Sequence, residues 1–282
     1  MSWLPNAGRV SVAGLLLLAL VVPSAVARRD RDGVLAERRV LPPPSPVVAV
    51  VEPAPTAGPA PAELPKIDYW GTPPGFPPDP DPHSVAVVAE GLRPHGKIAV
   101  YDAPGGQARA FLARSISGLP VTVPIVERRP GWLAVLLPSI NRHVGWVPDT
   151  AGDVRPLPDR LILDRSERRL TWFRDGQERG DWAVAVGAPA TPTPLGRTYV
   201  MGRTITSGPV YAGLDALVLG AIPDDRDALS AALRDGHTAI HAWRDESAFG
   251  RDISNGCIRM PVKVQRTLLD SLQPGTVVHV VA

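Results

Sequence analysis

The chain of 282 residues contains one cysteine, Cys257. A lone thiol excludes an internal disulfide framework and a zinc site built on paired cysteines. Outside His237 and His241 there is no close histidine pair at ligand spacing, so no metal is expected. Charge of one sign is also scarce. A formal net charge of +2 is too small for a nucleic-acid binder. The sequence pI near 8.9 offers weak attraction, at most, to an anionic surface. The apolar run from Val10 to Val22 falls short of the ~20 residues that a membrane helix needs. No cysteine follows it closely enough to carry a lipid.

That run nevertheless has an order of its own. Arg9 precedes it, Pro23 breaks it, and Ala25-Val26-Ala27 supplies small residues, the pattern of a cleaved export signal over 1–27. A membrane anchor is expected only if this signal stays uncleaved. An exported chain normally uses cysteines in pairs, which makes a single thiol a candidate for chemistry. Between 42 and 82 the chain holds 15 of its 33 prolines. Proline removes backbone donors and fixes φ, so 28–83 reads as a semi-rigid linker of ~3 Å per residue, reaching up to ~100 Å.

Short β-like runs follow from 84 to 154, among them Lys97–Tyr101, Val121–Val126, Trp132–Leu137 and Val144–Val147. They predict a small sheet or barrel in which Trp132 and Trp146 are core. From 157 to 282 the pattern stays mainly β. Asp175-Gly176 marks a hairpin, Thr238–Ala242 a short strand, and Thr276–Val281 a last one. Leu229, Ala232 and Leu233 give 223–235 a helical pattern. Val262, Val264, Leu268, Leu269 and Leu272 give another, with Pro261 in its first turn. The stretch from Arg203 to Gly220 reads as a lid.

A cysteine nucleophile needs a base or a positive potential to become a thiolate. Cys257 sits in Ser254-Asn255-Gly256-Cys257-Ile258-Arg259-Met260. If the following helix began near Pro261, its unpaired N–H groups would favour an anion at the thiol. The N–H groups of Gly256 and Cys257 are candidate oxyanion donors. His241, sixteen residues upstream at a strand end, is the best base among six histidines; His279 reads as structural. On these residues alone, an inert buried thiol remains the alternative. Ser254, Asn255, Arg259, Tyr211 and Trp243 are the further candidates for substrate contact.

Ile240-His241 and the 254–260 run resemble the signature of the L,D-transpeptidase (YkuD-like) catalytic domain. Thr191-Pro192-Thr193-Pro194-Leu195-Gly196 resembles that family's loop before a strand, and 161–170 its opening hairpin. The pair Gly131-Trp132-Leu133-Ala134-Val135 and Val144-Gly145-Trp146-Val147 resembles the end of a bacterial SH3-like domain. The resemblance implies a mainly β protein: a small SH3-like barrel over 84–154, then a sandwich-like catalytic domain over 157–282 with a helix after the cysteine. It implies an acyltransferase acting outside the cytoplasmic membrane on peptidoglycan stem peptides, with no metal and no organic cofactor. Cys257 would form a thioester with release of D-alanine, His241 would move the protons, and a second stem would complete a 3→3 cross-link. Water as acceptor would make it an L,D-carboxypeptidase. An inactive wall-binding protein is the third reading, since Asn255 and Ala242 stand where many members have His and Gly.

Overall fold

The computed structural model describes residues 53–71, 74–139, 143–204, 210–220 and 237–282, within one compact unit, Val51–Ala282. The expected signal at 1–27, the linker as far as 52, the helical pattern at 223–235 and the 205–209 part of the expected lid lie outside these residues.

Two sheets dominate. The first uses β1 (Glu90–Pro94), β2 (Ile98–Tyr101), β3 (Ala108–Leu112), β6 (Val123–Arg129), β7 (Trp132–Leu136), β8 (Val144–Pro148) and β9 (Gly152–Pro156). Its order is β3-β2-β8-β7-β6-β1-β9, and its pairs are all antiparallel. The two-residue strands β4 (Ser115–Ile116) and β5 (Leu119–Pro120) form a separate hairpin. Every residue of β7 is buried, as the continuous apolar run Trp-Leu-Ala-Val-Leu requires.

The second sheet uses β10 (Asp159–Asp164), β11 (Arg169–Arg174), β12 (Gln177–Ala183), β14 (Gly196–Arg203), β15 (Leu217–Leu219), β16 (Ala239–Trp243), β18 (Ile258–Pro261) and β19 (Val277–Val281). Its order is β12-β11-β10-β19-β14-β15-β16-β18. Two short strands, β13 (Val186–Gly187) and β17 (Asp252–Ser254), pair apart from it. Asp175 and Gly176 turn the β11–β12 hairpin with φ of 53° and 75°, the left-handed pair that a two-residue hairpin demands. β15 corrects the reading of 203–220 as one continuous lid. Leu217-Val218-Leu219 pairs with β14 and β16 as an interior strand.

Strand alternation gives the second sheet two different faces. Leu161, Leu163, Val200, Leu217, Leu219, Ile240, Ile258, Met260, Val278 and Val280 form one core with Val264 and Leu268 of α1 (Val262–Ser271). Tyr199, Met201 and Val277 point the other way, into the core of the first sheet.

The described part of the proline-rich stretch departs from the spacer expectation. It is a strap, bound to both sheets largely through its carbonyls. Pro55 O accepts from Trp132 Nε1 at 2.7 Å and Gly58 O from the Tyr101 hydroxyl at 2.7 Å. The N–H groups of Phe111 and Val144 reach Pro65 O and Pro77 O at 2.8 and 3.0 Å, and that of Arg197 reaches Pro82 O. Proline deletes a donor but keeps its acceptor, so a donor-poor segment can still be held by donors from elsewhere. Ile67, Tyr69 and Phe76 add apolar anchors in the first core. The tightest link is ionic: Asp79 takes both Nε and Nη2 of Arg197 at 2.6 Å, with both residues buried.

Removing one partner of such a pair strands a buried charge, which costs roughly 3–5 kcal/mol. Asp79→Ala is expected to lower the denaturant midpoint accordingly. A loss within experimental error would show that the strap contributes nothing to the fold.

Candidate active site

The site is a consequence of one parallel pairing. β16 and β18 align Ile240 with Ile258, His241 with Arg259 and Ala242 with Met260. Partners in register share a face, so Ile240, Ile258 and Met260 go to the α1 side while His241 and Arg259 go to the other. Cys257, one residue ahead of β18, falls on that same side. The N–H of Ala239 hydrogen-bonds to the Cys257 thiol. Candidate nucleophile and candidate base therefore stand on neighbouring strands of one sheet face.

His241 is buried and its Nδ1 lies 3.0 Å from Ala242 O. A carbonyl only accepts, so Nδ1 carries the proton and Nε2 is left with its lone pair. The ring is enclosed by aromatics: Tyr211 at 4.2 Å and Trp243 at 6.0 Å between centroids. Tyr211 and Ala212 hold left-handed backbone, φ 58° and 57°. Such strain at non-glycine residues persists only where the surroundings impose it. The Arg259 guanidinium stacks 3.9 Å over the Trp243 ring.

Burial sets the resting charges. It pushes the His241 pKa down from 6.5 to about 4, with Arg259 adding to the fall and the Ala242 carbonyl opposing it. It pushes the Cys257 thiol up, against the Ala239 N–H and Arg259, both of which favour a thiolate. The Tyr211 hydroxyl is raised by burial and then by Cys257. Arg259 is lowered by its own burial. At neutral pH the pair rests as thiol and neutral imidazole, with Arg259 as a neighbouring cation.

A second set of strands holds the cysteine loop. Ala185 exchanges two backbone hydrogen bonds with Arg259, at 2.8 and 2.9 Å. Thr191 Oγ1 donates to Ser254 O at 3.1 Å, and Thr193 Oγ1 donates to Gly256 O at 3.0 Å. Thr193 Oγ1 also accepts the Gly187 N–H at 3.0 Å. Ser254 Oγ closes the turn, donating to Cys257 O at 2.5 Å and accepting from the Gly256 N–H at 3.2 Å. Gly256 has a φ of 101°, a conformation that favours glycine. A cavity of about 390 Å³ opens beside this clamp, between Arg165, Arg168, Gly187, Pro192 and Asp252.

Several expectations need restating against this geometry. Cys257 is not at a helix N-terminus. β18 intervenes, α1 begins at Val262, and the helix packs against the opposite face. The Gly256 N–H is engaged by Ser254, which leaves Cys257 as the backbone donor of the two candidates. Asn255 is exposed, outside the enclosure around His241. His237 is not part of the pair: its Nε2 meets Tyr69 O at 2.5 Å. His279 is buried, with Nδ1 on Ser84 O at 2.9 Å. Thr191, Thr193 and Ala185 had been given no role from sequence. The alternating Thr-Pro pattern was the available signal, because proline fixes the backbone that aims each hydroxyl. Among the described residues, no three His, Cys, Asp or Glu side chains group to hold a metal.

Residues 158–280 match the family model of the L,D-transpeptidase catalytic domain, YkuD. The Bacillus subtilis (strain 168) protein YkuD, provisionally named an L,D-transpeptidase, is 23% identical over 155 residues, covering 55% of this chain and 83% of its own. The catalytic domain of an E. faecium L,D-transpeptidase is 24% identical over 44% of this chain and 98% of that one, with a TM-score of 0.32. L,D-transpeptidase 3 from Mycobacterium tuberculosis is 17% identical over 50% and 75%, with a TM-score of 0.37.

The lowered pKa of His241 has a signed consequence. Between pH 6.5 and about 4 the unfolded chain binds a proton at this residue and the folded chain does not, so stability falls as pH falls through that window. His241→Gln is expected to remove this component from denaturant titrations run at pH 7 and pH 4.5. An identical pH slope in both proteins would refute the assignment.

Proposed function

We propose that the chain is a peptidoglycan L,D-transpeptidase that works outside the cytoplasmic membrane and forms 3→3 cross-links through a thioester on Cys257. The carrying observation is the tautomer of His241. With Nδ1 committed to Ala242 O, Nε2 keeps the lone pair a base needs, and His241 lies on the same sheet face as the thiol. The family match over 158–280 supplies the substrate class.

In this mechanism Cys257 Sγ attacks the carbonyl between the third residue, diaminopimelate, and the terminal D-alanine of a tetrapeptide stem. His241 Nε2 takes the thiol proton as the C–S bond forms. Both groups rest uncharged, so proton transfer runs together with attack rather than before it. The Cys257 N–H and Arg259 stabilise the negative charge that develops. The imidazolium then gives its proton to the departing D-alanine nitrogen, the C–N bond breaks, and the thioester remains. The side-chain amine of a second stem attacks that thioester and passes its proton to His241. The proton goes on to the departing thiolate. Tyr211 and Trp243 wall the base from water and line the stem. Ser254, Thr191 and Thr193 hold the cysteine loop in position.

The segment over 84–154 is proposed to serve as an SH3-like spacing or binding module, and 1–27 as the export signal. Water in place of the second amine would give L,D-carboxypeptidase activity with the same thioester.

Incubating the mature protein with disaccharide-tetrapeptide and weighing the products separates these outcomes. A cross-linked dimer is expected. Tripeptide monomer alone would reassign the acceptor to water, and no turnover would leave a wall-binding protein. Cys257→Ala is expected to abolish turnover with the fold retained, and His241→Gln to slow it at least ~100-fold. Activity surviving in the cysteine variant would remove the thioester from the mechanism.

A further inference from the structure

The sheet face that carries Cys257 also borders a cavity. Val218 of β15 pairs with Ala239 of β16, and Ala239 lies beside Cys257 on the other side. Adjacent strands are ~4.8 Å apart, so Val218 stands roughly 10 Å from the thiol on the same face. Val218 is one wall of a cavity of about 210 Å³ whose other walls include Tyr69, Trp70, Met201, Arg203 and His237. Tyr69 and Trp70 belong to the strap and precede the family-matched segment.

The strap is fixed where it meets this cavity. Asp68 Oδ1 accepts the N–H groups of Trp70 and Gly71 at 2.9 and 2.7 Å, and His237 Nε2 donates to Tyr69 O at 2.5 Å. Tyr69 is buried in the first core, yet Trp70 beside it is 60% exposed. The indole lies 5.2 Å from the His237 ring, so an aromatic face stands open at the rim of a mainly apolar hollow. Such a face suits the flat C–H side of a pyranose ring. Arg203, in the same wall, offers donors to hydroxyl and acetamido oxygens. The volume lies below the ~300–1,000 Å³ of drug-sized ligand sites and suits a single ring.

Resting on the reaction proposed above, we propose that this cavity holds a sugar of the glycan strand to which the donor stem is attached. The spacing favours it. The lactyl link and three stem residues separate that sugar from the attacked carbonyl, and at ~3.3–3.6 Å per extended residue they span more than ~10 Å. The interval from Cys257 to the cavity wall lies within that reach. The strap thus supplies a glycan subsite that the catalytic domain alone does not contain.

The test compares kcat/KM for disaccharide-tetrapeptide and for free tetrapeptide, in wild type and in Trp70→Ala. Trp70 is exposed, so its loss leaves the cores intact. Wild type is expected to favour the disaccharide substrate by about tenfold, and the variant to lose most of that preference. Equal wild-type values, or a preference kept in Trp70→Ala, would overturn the subsite. Saturation-transfer NMR with the bare disaccharide on Cys257→Ala reads binding without turnover. Transfer that disappears when Trp70→Ala is added supports the subsite, and no transfer overturns it. If neither substrate reacts, the reaction falls and this binding measurement alone decides the cavity. Transfer to free tetrapeptide but not to disaccharide would reassign the cavity to a peptide and overturn the proposal.

Discussion

Everything chemical in this protein depends on the parallel register between β16 and β18. Parallel neighbours need a crossover between them, and the crossover must return the chain in the right phase. One residue of slip would turn His241 to the α1 side and bring Ile240 to the thiol. The register is held from both faces. Ile240, Ile258 and Met260 are buried against α1, and Ala185 grips Arg259 through two backbone hydrogen bonds. Gln265 adds a pin from the helix, with Nε2 on Asp215 O at 2.9 Å and Ile240 O at 3.2 Å. The apolar core and the polar clamp thus specify the same alignment.

The two faces of the second sheet divide the labour. One is a conventional apolar interior closed by α1. The other is shared between the first sheet, the strap and the site. Groups on the shared face are polar and buried: Arg197, His279, His241 and, half-buried, Arg259. Arg197, His279 and His241 hydrogen-bond to Asp79, Ser84 and Ala242, and Arg259 stacks on Trp243. Among the described residues, Arg259 Nε and His279 Nε2 have no hydrogen-bond partner. The site therefore lies on a face that the N-terminal half covers elsewhere.

Much of this was legible in the sequence. Asp175-Gly176 announced its hairpin, the apolar run of β7 its burial, and Val264 and Leu268 the inward stripe of α1. Cys257 and His241 stood out because one thiol and one strand-end histidine have few other uses in a chain with the pattern of an export signal. What stayed hidden is what spacing does not encode. Residues 258–261 are too few to distinguish a strand from the start of a helix, so the thiol was placed against a dipole that points elsewhere. Leu217-Val218-Leu219 is three residues long and carries no alternation that separates it from a loop. The strap was hidden for a deeper reason. Proline-rich sequence advertises its missing donors, whereas its carbonyls, which do the binding, are the same in every residue.

The strap's contacts also bear on how the chain reaches its folded state. Asp79 meets Arg197 across 118 positions and Ser84 meets His279 across 195. Contacts of such sequence separation form late, because closing the intervening loop costs entropy before it returns any energy. The Asp79 and Ser84 contacts can close only when β14 and β19 are present to receive them. Until then the face carrying Tyr199, Met201 and Val277 is open. During that interval the proline-rich segment presents few strand-forming donors. A segment poor in N–H groups cannot easily recruit a stray sheet edge, so the waiting chain is protected by the same chemistry that later holds it down.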